Sequence, residues 1–131
     1  MAWQGAKPSD FAKQILKDAD DHTKKVCIAM LQGVIMGSPV MDAVYRSNHR
    51  LSVNGQVFYT VPTTGNTAPK GNIDEQVLQD GLKELLKFKL GDVVYIQNNS
   101  VHGLRLENGW SQQAPQGVYS LTFQAVSSKY P

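Results

Sequence analysis

Between Ser9 and Met36 the apolar residues Phe11, Ile15, Ala19, Val26, Met30 and Val34 fall on one stripe of a 3.6-residue repeat, with Leu16, Cys27 and Leu31 alongside. Pro8-Ser9-Asp10 opens it, with Ser9 as the N-cap and Asp10 near the positive end of the helix dipole. Gly37-Ser38-Pro39 closes it, because proline cannot continue a helix and glycine takes the left-handed cap conformation readily. The spacing therefore predicts one long N-terminal helix.

A chain of 131 residues makes a single domain, 1–131. Leu, Ile, Val and Phe supply 33 of those residues, enough apolar surface to offset the ordering of the backbone, so global disorder is excluded. Charged residues are scarce, at 18%, and 11 Gln and 7 Asn fill the gap. An amide-rich surface repels copies of itself weakly, which suits a subunit that packs on neighbours. The net charge of +2, with both signs interleaved, is too small for a dedicated nucleic-acid binder. One cysteine excludes a disulfide framework and a Cys-rich zinc site. The stretch Val26–Met36 is too short to span a membrane, and the N-terminus lacks the apolar core of a signal peptide, so a cytosolic protein is expected.

After the first helix, Leu51 and Val53 alternate with polar residues, Asn54-Gly55 follows, and Val57, Tyr59 and Val61 alternate again. This predicts a hairpin on a type I′ turn. Residues 60–72 hold two Pro, two Gly and four Thr, and read as a mobile loop or docking arm. Asn72 and Glu75 have capping-box spacing for a second helix, whose buried face is Ile73, Val77, Leu78, Leu82, Leu85 and Leu86, with Gly91 as its cap glycine. Val93–Asn98 reads as a strand, Leu104–Leu106 as a brief strand and Val118–Val126 as a final strand, with a loop at 107–117 between. The expected fold is α+β: an antiparallel or mixed β-sheet, a long N-terminal helix and a second helix packed on it.

His22, His49 and His102 are far apart, and no carboxylate or cysteine cluster completes a metal site. Cys27 lies in an apolar run and reads as a small core residue rather than a nucleophile. Phosphate-binding glycine loops and nucleophile elbows do not occur, so neither an enzyme nor a bound cofactor or metal is expected. In the late loop, Glu107 has two readings: a surface pair with Arg105, or a carboxylate accepting N–H groups of the turn through Gly109 and Ser111. Trp110 either anchors an interface or folds back on its own domain.

The run YIQNNSVHGLRLENGWSQQAPQGVYSLTFQAV resembles the C-terminal signature of the tail-completion or neck proteins of long-tailed bacteriophages. The matching positions are Asn98, Glu107, Gly109, Ser111, Gln113, Ala114, Pro115 and Gly117. Ser38-Pro39-Val40 after a long helix also fits the family layout, whereas Met41-Asp42-Ala43 and His49 depart from it. The resemblance implies a structural virion protein, assembled in the host cytoplasm, forming a homo-oligomeric ring of six copies at the head–tail junction. Its partners would be a head-closure or connector protein on one side and a tail terminator or tail tube protein on the other. DNA would pass through the lumen with weak contacts, and no membrane would be involved. The assembly loop would comprise Glu107, Gly109, Trp110, Ser111, Gln113, Ala114, Pro115 and Gly117, with loop 60–72 reaching neighbouring subunits. The alternatives are another tail ring protein, such as a terminator or tube subunit, and a small nucleic-acid-binding module.

Overall fold

The computed structural model describes residues 8–40, 44–61, 63–100, 103–109, 114 and 116–131. In chain order the elements are α1 (Pro8–Met36), α2 (Val44–Ser47), β1 (His49–Val53), α3 (Glu75–Leu85), β2 (Val94–Asn98), α4 (Gly103–Glu107) and α5 (Tyr119–Lys129). The fold is α+β, with β1 and β2 forming a two-stranded antiparallel sheet in register from His49↔Asn98 to Val53↔Val94. The long N-terminal helix is present, and α3 packs on both α1 and β1. No helix among the described residues is long and apolar enough to cross a membrane.

The core gathers at one end of α1. Leu31, Val34 and Ile35 are buried there against Tyr45, Leu51, Val77, Leu78, Leu85, Phe88, Ala114 and Val118. Cys27 and Ile28 pack at the margin of this cluster, and burial pushes the Cys27 thiol pKa up, which suits a packing residue. The opposite half of α1 carries its stripe into solvent: Phe11, Ile15 and Leu16 are all more than half exposed.

Three expected strands are replaced. Residues 57–61 do not form the second arm of a hairpin. A type I′ turn needs positive φ at both central residues; Asn54 has it (φ +64°), but Gly55 is not among the positive-φ glycines. Asn54 instead extends the pairing of β1 with β2. Its N–H donates to the Val93 carbonyl (2.7 Å) and its side-chain oxygen accepts the Val93 N–H (3.0 Å).

Leu104–Leu106 lies within the short helix α4, not a strand. Val118–Val126 lies largely in the helix α5, not in a final strand. The alternation of Tyr119, Leu121, Phe123 and Ala125 is coincidental, because Leu121 and Phe123 face solvent. The residues turned inward are Val118, Thr122, Val126 and Tyr130, spaced by four, together with Tyr119 beside Val118. Thr122 satisfies its own hydroxyl by donating to the Val118 carbonyl (2.8 Å), so a polar residue can occupy the buried stripe. It packs directly over Gly33 of α1, where a Cβ would collide with the Thr122 methyl group. From that crossing α5 runs back along α1 until Tyr130 meets His22 edge-on.

The capping box on α3 does not form. Asp74 occupies the N-cap position without a side-chain cap bond, its carboxylate accepting the Thr64 hydroxyl instead. Asn72 donates to the Pro69 carbonyl (2.7 Å). The helix stops at Leu85, and Gly91 (φ +95°) serves the turn before β2 rather than the helix cap.

Candidate functional site

The breaker-rich loop is tied to its own subunit. Arg46 of α2 is buried, and its guanidinium donates to the Asn66 carbonyl (3.3 Å) and the Pro69 carbonyl (3.1 Å). Ser47 accepts the Thr64 N–H (3.0 Å), and the Gly71 N–H donates to the Met36 carbonyl (3.0 Å). The loop thus covers a buried cation with its carbonyl groups, which is the usual condition for keeping such a charge inside. Of the two readings its composition allows, a slack loop or a docking arm, these bonds argue against the slack one.

Behind α2, five elements bring polar side chains into one buried row. Ser38, just past α1, donates its hydroxyl to the Val34 carbonyl (2.5 Å). The same oxygen lies 2.6 Å from His49 Nε2. On the other side of the ring, His49 Nδ1 lies 2.8 Å from the Tyr119 hydroxyl and 3.3 Å from the Asn98 amide nitrogen. That amide also donates to the Tyr45 carbonyl (2.7 Å). Tyr45 packs edge-on against the imidazole at 5.0 Å between ring centroids.

These partners assign the protons. With the Ser38 proton committed to Val34, His49 Nε2 must be the donor to Ser38 Oγ. Nδ1 is then the acceptor, taking the Tyr119 proton. The row is uncharged throughout. Burial, aided by Arg50, lowers the His49 pKa to about 3, and burial raises those of Tyr45 and Tyr119, with the nearby Glu107 charge contributing to both. Ser38 and His49 stand at the distance of a nucleophile and its base, but the proton runs from imidazole to serine. In this arrangement the imidazole donates to the hydroxyl instead of accepting from it.

Glu107, at the end of α4, meets the start of α5. Its Oε1 accepts the N–H groups of Val118 (2.8 Å) and Tyr119 (2.8 Å), and Oε2 also accepts that of Tyr119 (3.0 Å). A carboxylate placed on the first free N–H groups of a helix acts as a cap supplied from a distant part of the chain. Gly117 makes the approach possible: its φ is +86°, and a Cβ there would stand 2.5 Å from the Glu107 carbonyl oxygen and 2.6 Å from Oε1. Tyr45, Asn98, Gly103, Glu107 and Tyr119 line a cavity of about 280 Å³ beside this cap.

Of the residues singled out in the late region, Asn98, Glu107 and Gly117 thus converge on one cluster. The Glu107 carboxylate bonds the start of α5 instead of the turn through Gly109, whose N–H closes α4 on the Leu106 carbonyl (3.1 Å). Ala114 is buried in the core. Trp110, Ser111, Gln113 and Pro115 lie outside the described residues. Ser38, Tyr45, His49 and Tyr119 were not legible as a group, because their separations along the chain follow no period. Among the described residues, no group of three or more His, Cys, Asp or Glu side chains is placed to hold a metal.

Comparison of the chain with protein-family models, with curated proteins and with solved structures finds no match.

Proposed function

We propose that this protein is a structural subunit of the head–tail junction of a long-tailed bacteriophage. In this reading it is a tail-completion or neck protein whose copies close into a ring, six being the number the resemblance implies. The observation that carries the proposal is the Glu107 cap. Asn98, Glu107 and Gly117, three of the positions on which the resemblance rests, meet around the start of α5. The signature is then an architectural clasp, and its residues serve shape rather than turnover. The exposed apolar residues Phe11, Ile15 and Leu16 of α1 and Phe123 of α5 add support, since such surface favours contact with other subunits.

Assembly is the mechanism. A small subunit gains lasting association through repeated interfaces that close on themselves. On one side the ring would meet a head-closure protein and on the other a tail terminator or tube protein. A chain with a net charge of +2 would let DNA pass with weak phosphate contacts.

Complementation of a phage lacking the corresponding protein tests this reading, with electron microscopy of the purified protein. Restored infectivity together with discrete rings is the expected result. Long tubes would identify a tube subunit, and strongly salt-dependent binding of duplex DNA would point to a nucleic-acid-binding module; either outcome removes the head–tail assignment.

A further inference from the structure

The segment that sequence pattern marks as a strand, 57–61, is held on the sheet by side-chain amides instead of a backbone ladder. Gln97 Oε1 accepts the Val57 N–H (2.8 Å), and Asn99 donates to the Val57 carbonyl (2.6 Å) and the Tyr59 carbonyl (3.4 Å). Asn48 accepts the Val61 N–H (2.8 Å) and donates to the Val61 carbonyl (3.3 Å). Every second residue is therefore turned toward the subunit. The backbone groups of Phe58 and Thr60 have no hydrogen-bond partner among the described residues, and in an extended chain they point opposite to those of their neighbours. Phe58 is 82% exposed and Tyr59 61%. Gly55–Val61, GQVFYTV, holds no charge and no proline, the two devices that usually protect such an edge.

We propose that Val57–Val61 pairs antiparallel, about a two-fold axis, with the same segment of a second copy of this chain. A strand edge paired antiparallel with itself is complementary by construction, since each donor meets an acceptor of the identical segment. The uncharged sequence offers no repulsion between copies. Centred on Tyr59, the pairing places Phe58 opposite Thr60 of the second copy in both halves. Those are the residues with unmatched N–H and C=O groups, and they form the hydrogen-bonded pairs, while the two Tyr59 residues form the non-hydrogen-bonded pair between them. Phe58 then packs over a threonine methyl group across the strands. Val57, Tyr59 and Val61 border a groove of about 380 Å³ against Asp80 and Lys83 of α3, so the tyrosine of the second copy meets open volume. This contact is independent of the head–tail reading.

Sedimentation of the full-length protein over a range of concentrations is the test, with far-UV circular dichroism and the melting temperature as folding controls. Phe58→Lys places like charges across the axis. Thr60→Pro removes an outward N–H while keeping extended geometry at Tyr59. Each is expected to weaken self-association by about tenfold or more without changing the fold. Tyr59→Cys, in a Cys27→Ser background, is expected to give a disulfide-linked dimer under mild oxidation, because a non-hydrogen-bonded pair brings Cα atoms within disulfide reach. A wild-type protein that stays monomeric, or association that both variants leave intact, overturns the pairing. So does an associated Tyr59→Cys protein that fails to cross-link.

Discussion

Glu107 supplies one carboxylate to three backbone N–H groups, those of Val118, Tyr119 and, at 3.4 Å, Ser120, so removing it exposes all of them at once. Charge-assisted bonds of this kind are worth about 1.5–3 kcal/mol. Glu107→Ala is expected to lower the stability measured by urea denaturation by roughly that amount, and Glu107→Gln by less, because an amide oxygen still accepts. Equal midpoints for wild type and Glu107→Ala would show that the cap contributes nothing. His49 gives a pH signature. Its folded pKa of about 3 lies below its ordinary value of 6.5, so the unfolded chain takes up the proton first as pH falls. Stability is then full above about pH 6.5 and declines between 6.5 and 3, by at most about 1.4 kcal/mol per pH unit from this group. Urea midpoints measured at pH 7.5, 6 and 5 check the direction, and His49→Asn should flatten the slope over this window. Little of this was legible in the sequence. Glu107 could be identified as an acceptor, but the N–H groups it serves come from residues 118 to 120, beyond the turn next to it.

At the scale of elements, α1 and α3 follow from periodicity, whereas α5 depends on its surroundings. A segment reading VYSLTFQAV suits a strand by composition; the Glu107 cap and the seat over Gly33 make it a helix. Gly33→Val places side-chain atoms where Thr122 already sits and is expected to cost about 1–3 kcal/mol. Loss of the shielding of α1 by α5 should appear as faster amide exchange in Tyr119–Lys129. Unchanged exchange would mean that α5 does not depend on this seat. Loop 60–72 shows the same dependence on distant groups. Its Pro, Gly and Thr content reads as a mobile loop or a docking arm, but the carbonyls of Asn66 and Pro69 are held within the subunit by the Arg46 guanidinium. Limited proteolysis of the isolated protein should therefore spare residues 63–71, and Arg46→Met should open them to cleavage. Rapid cutting of the wild-type loop would contradict that fastening.

At the scale of the whole molecule, the head–tail reading predicts that surface residues matter to joining and not to folding. Phe11→Ser and Leu16→Ser lie on the exposed half of α1, so each is expected to change stability by less than about 0.5 kcal/mol. In the complementation assay both should reduce infectivity, and full infectivity from the double variant would remove α1 from the assembly surface. What the sequence by itself determined is what short-range physics controls: the α+β class, the extents of α1 and β2 to within a few residues, and most of the buried face of α3. Apolar periodicity and the end signals of helices act within a few residues, so they are readable without a fold. The tertiary structure alone decided that β1 pairs with β2 across the 40 residues that lie between Val53 and Val94. It also decided that α5 is a helix and that His49 is buried and neutral between Ser38 and Tyr119. Each of these turns on a hydrogen-bond partner far away in the chain, and a buried polar group is stable only where that partner is brought to it.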